Sequence, residues 1–177
     1  MSRDAVQPAL PVLHGAAVTL RPATSDDAAT ILAIVQTPEV ARWWGPSELS
    51  EIASEITDDN DVCVYMVEVE GEPAGMIQYH EETDPMYRSA GIDIVLAPRF
   101  HDRGLGTDAV RTMARHLFED RNHHRLTIDP AADNARAIAT YARVGFKPVG
   151  VLRNYERGPD GTYHDGLLMD ILPEELS

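Results

Sequence analysis

Two short segments of this 177-residue chain hold residue types that could bind a phosphorylated ligand and deliver a proton. In Arg103-Gly104-Leu105-Gly106-Thr107, two glycines clear side chains from the backbone just before an amphipathic stretch. A helix opening there offers free N–H groups and the positive end of its dipole, so it can hold phosphate oxygens, with Arg103 adding charge. The segment lacks the Gly-Lys-Ser/Thr of a P-loop and the further glycine of a dinucleotide fingerprint. Downstream, Asp129-Pro130 is followed by Asn134, Ala137, Tyr141 and Gly145-Phe146. Asn134, Ile138 and Tyr141 fall at i, i+4 and i+7, which puts an amide and a phenol near one helix face. A phenol can serve as a proton donor. Read alone, the same tyrosine is a core aromatic and Gly145 a helix stop.

The elements around these segments are legible from periodicity and breakers. Val18–Arg21 alternates as a short strand, and Thr24-Ser25-Asp26-Asp27 is a capping box before Ile31, Leu32 and Val35. Pro38 should end that helix near Gln36 or Thr37. Trp43-Trp44-Gly45-Pro46 is read as a loop, residues 47–56 as a short helix, and Asp58-Asp59-Asn60-Asp61 as a polar break. Two strands, 63–69 and 74–79, flank the turn Glu70-Gly71-Glu72-Pro73. Residues 81–87 read as a loop, and 90–96 as a third strand stopped by Pro98. Residues 107–118 carry apolar positions at helical spacing, 125–128 form a short strand, and 134–144 a helix. Strands at 147–152 and 163–171 close the chain. The sum is a mixed α/β or α+β domain over 17–177, after a flexible lead-in at 1–16.

Composition bounds the function. Hydrophobic content of 44% and charged content of 25% suit a globular domain, and no apolar run approaches the ~20 residues of a membrane span. Fifteen Lys plus Arg against 29 Asp plus Glu give a net charge of −14, the opposite of a nucleic-acid binder. Such a surface attracts cations, or simply confers solubility. Cys63 is the single cysteine, which fits a reducing cytoplasm. It lies in an apolar strand without a histidine signature, so an inert thiol is expected rather than a nucleophile. His123-His124 has no third ligand at metal spacing and reads as loop surface; no metal is expected.

Taken in order, the two segments resemble the acetyl-CoA site of the GCN5-related N-acetyltransferase (GNAT) superfamily. The pattern Asn-x-x-Ala-x-x-x-Tyr-x-x-x-Gly-Phe matches from Asn134 to Phe146. The resemblance implies the GNAT fold, a mixed, mostly antiparallel sheet flanked by helices and splayed beside the strand that precedes the glycine loop. It implies acetyl-CoA as cosubstrate. Gly104, Leu105, Gly106, Thr107 and Arg103 would hold the pyrophosphate, while Asn134 and Ala137 line the pantetheine arm. Backbone N–H groups near Val95 and Leu96, at a strand bulge, would face the thioester carbonyl, and Tyr141 would protonate CoA. His101 stands where the family usually has Gln or Arg; it can still donate a hydrogen bond.

The acceptor side is acidic. Glu81, Glu82, Asp84, Asp93 and Asp129 are candidates to hold a cationic amine and relay its proton. Asp93 interrupts the apolar alternation Ile92-Asp93-Ile94, either as a solvent-facing strand residue or as a functional group in a cleft. Val18-Thr19-Leu20-Arg21, Trp43-Trp44-Gly45, Gln78, Glu81-Glu82-Thr83-Asp84-Pro85 and Gly91-Ile92-Asp93 resemble aminoglycoside 6'-N-acetyltransferases. That resemblance implies a cationic, polyamine-sugar acceptor. Asp84, Asp93, Glu82, Gln78 and Asp129 would lie at the substrate, Trp43 or Trp44 would wall it, and Asp93 would be the base or water relay. The tail residues Asp160-Gly161-Thr162-Tyr163-His164-Asp165 look instead like acetyltransferases of ribosomal-protein N-termini or small amines. His164 and Asp165 are either a proton relay or a polar edge pair. A non-catalytic acetyl-CoA-binding module is the third reading. Either a monomer or a homodimer is expected, without nucleic acid or membrane.

Overall fold

The computed structural model describes residues 10–57 and 62–177. The polar break at 58–61 lies outside the described residues. One sheet of eight strands runs through the molecule in the order β1 (Leu13–His14), β2 (Thr19–Pro22), β3 (Val62–Val69), β4 (Glu72–Glu82), β5 (Ser89–Leu96), β6 (Leu126–Ile128), β8 (Tyr163–Ile171) and β7 (Lys147–Arg157). Every neighbouring pair is antiparallel except β5 and β6. A parallel pair needs a crossover, which α4 (Leu105–Glu119) supplies. The strand β1 lies inside the stretch read as a lead-in.

Apolar periodicity explains the layers. The helix α4 buries Leu105, Ala109, Val110, Met113 and Leu117, against a core that includes Ile77, Tyr79, Ile92, Leu126, Met169 and Ile171. Around the sheet, α1 (Ala28–Val35) packs on α2 (Pro38–Trp44), α5 (Ala135–Val144) on α4, and α3 (Leu49–Thr57) on α1 and β3. The Asp27 carboxylate accepts from the Thr24 N–H at 2.8 Å and from Arg21 at 2.8 Å, fixing the entry to α1. Asp108, the one acid in the first turn of α4, turns toward the β1–β2 turn and accepts from the N–H groups of Ala16, Ala17 and Val18 at 3.0, 2.7 and 3.0 Å. Asp108→Ala is expected to cost about 1–2 kcal/mol, since charge-assisted bonds at a partly wet site are partly replaced by water. Thermal unfolding should show this as a fall of about 2–8 °C in Tm; an unchanged Tm would mean that the turn holds without its anchor.

Three boundaries differ from the sequence reading. Pro38 does end α1, but it also opens α2 at its first position, so Trp43 and Trp44 close a helix rather than sit in a loop. The strand β4 runs on through Glu82, where a loop was expected from residue 81. The strand β7 continues to Arg157, five residues beyond its expected end, with breaks in register on the way.

The sheet opens at its centre. Along all of Ser89–Leu96, β5 pairs with β4, but it meets β6 only at Ala90↔Leu126 and Gly91↔Thr127. After β6 the chain turns to β8 instead: Pro130 O accepts from Leu167 N–H at 2.8 Å, and Ala132 N–H donates to Asp165 O at 2.8 Å. A wedge is left between β5 and the start of α5. The register of β5 against β4 is continuous, so the expected bulge is not in this pairing.

Candidate active site

Two clefts enter that wedge from opposite ends. One, of about 620 Å³, lies between the end of β5, the loop 100–107 and α5. The other, of about 340 Å³, lies between α2, the middle of β4 and β5, the segment after β6, and β7. A neck of about 110 Å³ joins them, and Ile94, Ala137 and Tyr141 line all three spaces.

The first cleft has the chemistry of a phosphate cradle. Gly104 caps α4 with φ of 74°, a left-handed conformation that favours glycine. Gly106 is different. A Cβ there would meet only Thr140 Cγ2 at 3.5 Å and Leu96 Cδ1 at 3.6 Å, so packing does not demand its absence. The missing side chain instead keeps open the cleft that Gly106 lines, beside the unpaired N–H groups of the first turn of α4. These features fit a nucleotide pyrophosphate.

Cofactor-side residues named from sequence are mostly gathered here. Leu96, His101, Gly104, Leu105, Gly106, Thr107, Ala137 and Tyr141 line the large cleft, and Val95 and Asn134 line the neck. Arg103 is the exception: its guanidinium lies over the Phe100 ring, 5.5 Å from the centroid. Val95 needs a second correction. Ala90 N–H donates to Arg125 O across to β6, while Ala97 N–H donates to Ala74 O in β4. Strand alternation then turns the N–H groups of Ile94 and Leu96, beyond the short pairing with β6, to the open edge, and that of Val95 to β4. Ile94 takes the place that the sequence reading gave to Val95. Asn134 caps α5 by accepting from Ala137 N–H at 3.2 Å.

The second cleft is acidic. Asp93 and Gln78 face each other across β5 and β4, with Gln78 Nε2 donating to Asp93 Oδ2 at 3.3 Å. Burial pushes the Asp93 carboxyl up, with Asp129 adding repulsion. Glu156 is also raised by burial and by Asp129 and Asp93. Tyr155 donates a hydrogen bond to Asp129, and that bond together with burial pushes its phenol up to about 12. Trp43 and Trp44 form the opposite wall. The Tyr141 phenol is held well above the usual phenol range by burial, then by Asp93 and Asp129.

Several acceptor-side expectations are not met. Glu82 and Asp84 lie beyond the cleft lining and are used locally: Glu82 accepts from Asp84 N–H at 2.9 Å, and Asp84 from Met86 N–H at 2.8 Å. Glu81 points to the other face of the sheet, where Arg121 (2.7 Å) and His123 (2.6 Å) engage it. His123 is therefore buried rather than loop surface. His164 pairs with Asp160 at 3.0 Å, while Asp165 accepts from Asn154 N–H, so the His164–Asp165 relay is not formed. Cys63 is half-buried with its thiol pushed up by burial, a poor nucleophile. Sequence reasoning missed Tyr155 and Glu156, which the unforeseen length of β7 delivers, and Arg136 and Arg143, which line the cofactor cleft. Arg136, Thr140 and Arg143 fall at i, i+4 and i+7, on a helix face adjoining that of Ala137 and Tyr141, and only the loop 100–107 makes that face matter.

A family model for the acetyltransferase (GNAT) domain matches residues 17–147. The chain belongs to the GNAT family. It is 31% identical over 164 residues to the aminoglycoside N(6')-acetyltransferase type 1 of Klebsiella pneumoniae, covering 81% of this chain and 79% of that protein. It is 26% identical over 172 residues to the spermidine N(1)-acetyltransferase of Escherichia coli K12, covering 94% and 90%. A solved structure of AAC(6')-Ib in complex with ribostamycin and coenzyme A superposes with a TM-score of 0.74 at 28% identity, covering 90% of this chain and 95% of that one. This GNAT protein is thus an N-acetyltransferase with acetyl-CoA as its acetyl donor. Among the described residues, no helix is long and apolar enough to cross a membrane, and no group of His, Cys, Asp and Glu could hold a metal ion.

Proposed function

We propose that this enzyme acetylates the 6'-amine of aminoglycosides, with both substrates bound at once. The observation that carries this is the acidic cleft, where Asp93, Asp129 and Glu156 stand between a tryptophan wall and the neck to the cofactor cleft. A polycationic sugar is drawn to such a site at long range, and its rings can lie on Trp43 and Trp44. When bound, acetyl-CoA supplies an acetyl thioester, and the net reaction converts an amine and the thioester to an amide and free CoA thiol.

Each residue then has a local task. Asp93, raised by burial, takes a proton from the incoming ammonium directly or through water; its raised pKa makes it a stronger base than an ordinary carboxylate. Gln78 orients it. The N–H groups of Ile94 and Leu96 face the open edge and can hold charge developing on a carbonyl oxygen. Tyr141, at the junction of the clefts, gives its proton to the departing thiolate. The first turn of α4 anchors the pyrophosphate far from the reacting atoms.

The competing acceptor is a linear polyamine, favoured by the likeness to the spermidine enzyme. Free-thiol release separates the readings, using aminoglycosides that bear or lack a 6'-amine, with spermidine and a peptide bearing a free N-terminus alongside. Turnover confined to the 6'-amino members is the expected result. Turnover on spermidine alone, or on peptide N-termini alone, would move the acceptor to that class.

A further inference from the structure

His101 and Arg136 are linked across the cofactor cleft in a way that fixes the state of both. The ring Nε2 of His101 lies 2.8 Å from the Leu96 carbonyl oxygen, and its Nδ1 lies 2.7 Å from Arg136 Nη1. A carbonyl can only accept and a guanidinium can only donate. The imidazole is therefore the neutral Nε2–H tautomer, donating to Leu96 and accepting from Arg136. The ring ties the end of β5 to the first turn of α5.

That first turn is a poor place for a cation, because the helix dipole disfavours positive charge there. An exposed arginine also loses rotamer freedom when held in one pose. Both costs fall on Arg136, which among the described residues has no carboxylate within ion-pairing distance and is held by the His101 ring. What the arrangement achieves is placement. The guanidinium is held beside the loop 101–107, on the wall that faces the first turn of α4. Arg103, the other candidate for this charge, is stacked over Phe100 instead.

We propose that Arg136 binds a phosphate group of the coenzyme, and that His101 is its positioning residue, acting as the acceptor that holds the guanidinium in place. One N–H is spent on His101, and the remaining donors of the planar fork stay available for phosphate oxygens.

The test is a double-mutant cycle on CoA binding, read as Kd by calorimetry without turnover. His101→Ala and Arg136→Ala should each weaken CoA about tenfold, or about 1.4 kcal/mol. The double variant should bind no more weakly than Arg136→Ala alone. His101→Gln, whose amide can donate and accept at once, should restore Kd to within about threefold of wild type, which guards against a simple folding defect. Nitrogen-15 NMR of the free protein should show His101 as the Nε2–H tautomer. Dephospho-CoA locates the anion: a persisting His101→Ala penalty points to the pyrophosphate, and a vanished one to the 3'-phosphate. Additive losses in the double variant, wild-type Kd in His101→Ala, or an Nδ1–H tautomer would each overturn the proposal.

Discussion

Tyr141→Phe is expected to bind CoA within about twofold of wild type and to turn over about 100-fold more slowly. The substitution removes one oxygen from a side chain packed against Phe146 and lining the junction of the two clefts, so shape and pantetheine contacts persist. What is lost is the proton donor. Burial and two carboxylates hold the phenol well above its usual range, so it stays protonated at any working pH. An ordinary phenol is already a weaker acid than a thiol of pKa ~8.5, and the shift makes Tyr141 weaker still. The effect therefore belongs at the low end of the ~10²–10⁴-fold range of general acid catalysis. Steady-state kcat by thiol release, set beside CoA Kd by calorimetry, checks it. An unchanged kcat removes Tyr141 from the acid role, and a parallel loss of Kd makes it a wall of the cleft.

The parts of this site that the sequence carried are those set by local chemistry. Gly104 and Gly106 before an amphipathic run, and Asn134 before another, announce helix starts whatever the fold. Tyr141 at i+7 from Asn134 places the phenol on the right face. Residues whose role depends on pairing were harder to see. Val95 and Ile94 are adjacent and equally apolar, and only the bond from Ala97 to Ala74 reveals which amide faces the wedge. Glu81, Glu82 and Asp84 look alike as acids near a strand end, yet one folds under the sheet to Arg121 and His123 and two serve the turn. Pro38 is both a stop and a start, and the stop hid the helix that carries Trp43. The polar sequence of β7 hid Tyr155 and Glu156, because an edge strand need not alternate when neither face is deeply buried.

Asp93→Asn should separate function from stability. As the proposed base, Asp93 contributes on the order of 10²–10³-fold to kcat/KM for the amine, and the amide cannot take its proton. The wild-type rate should rise with pH as Asp93 ionises, with that limb displaced above the ordinary aspartate range by burial; the variant should lack the limb. Stability moves the other way. A carboxyl whose pKa is raised by folding binds its proton more tightly in the native state. Between the unfolded and folded pKa values the native protein holds more protons, so stability falls as pH rises through that window, and the loss is complete above the folded value. The amide avoids this cost and gains a partner, because Gln78 Oε1 is a buried oxygen with no hydrogen bond. The variant should therefore melt above wild type at pH 8, by a margin that shrinks as the buffer is taken below the aspartate range. Thermal scans across pH, run beside the rate profile, test both halves. A variant with full activity would dismiss Asp93 as the base, and one that melts below wild type at pH 8 would mean that the ionised carboxylate is better paired in the cleft than its surroundings indicate.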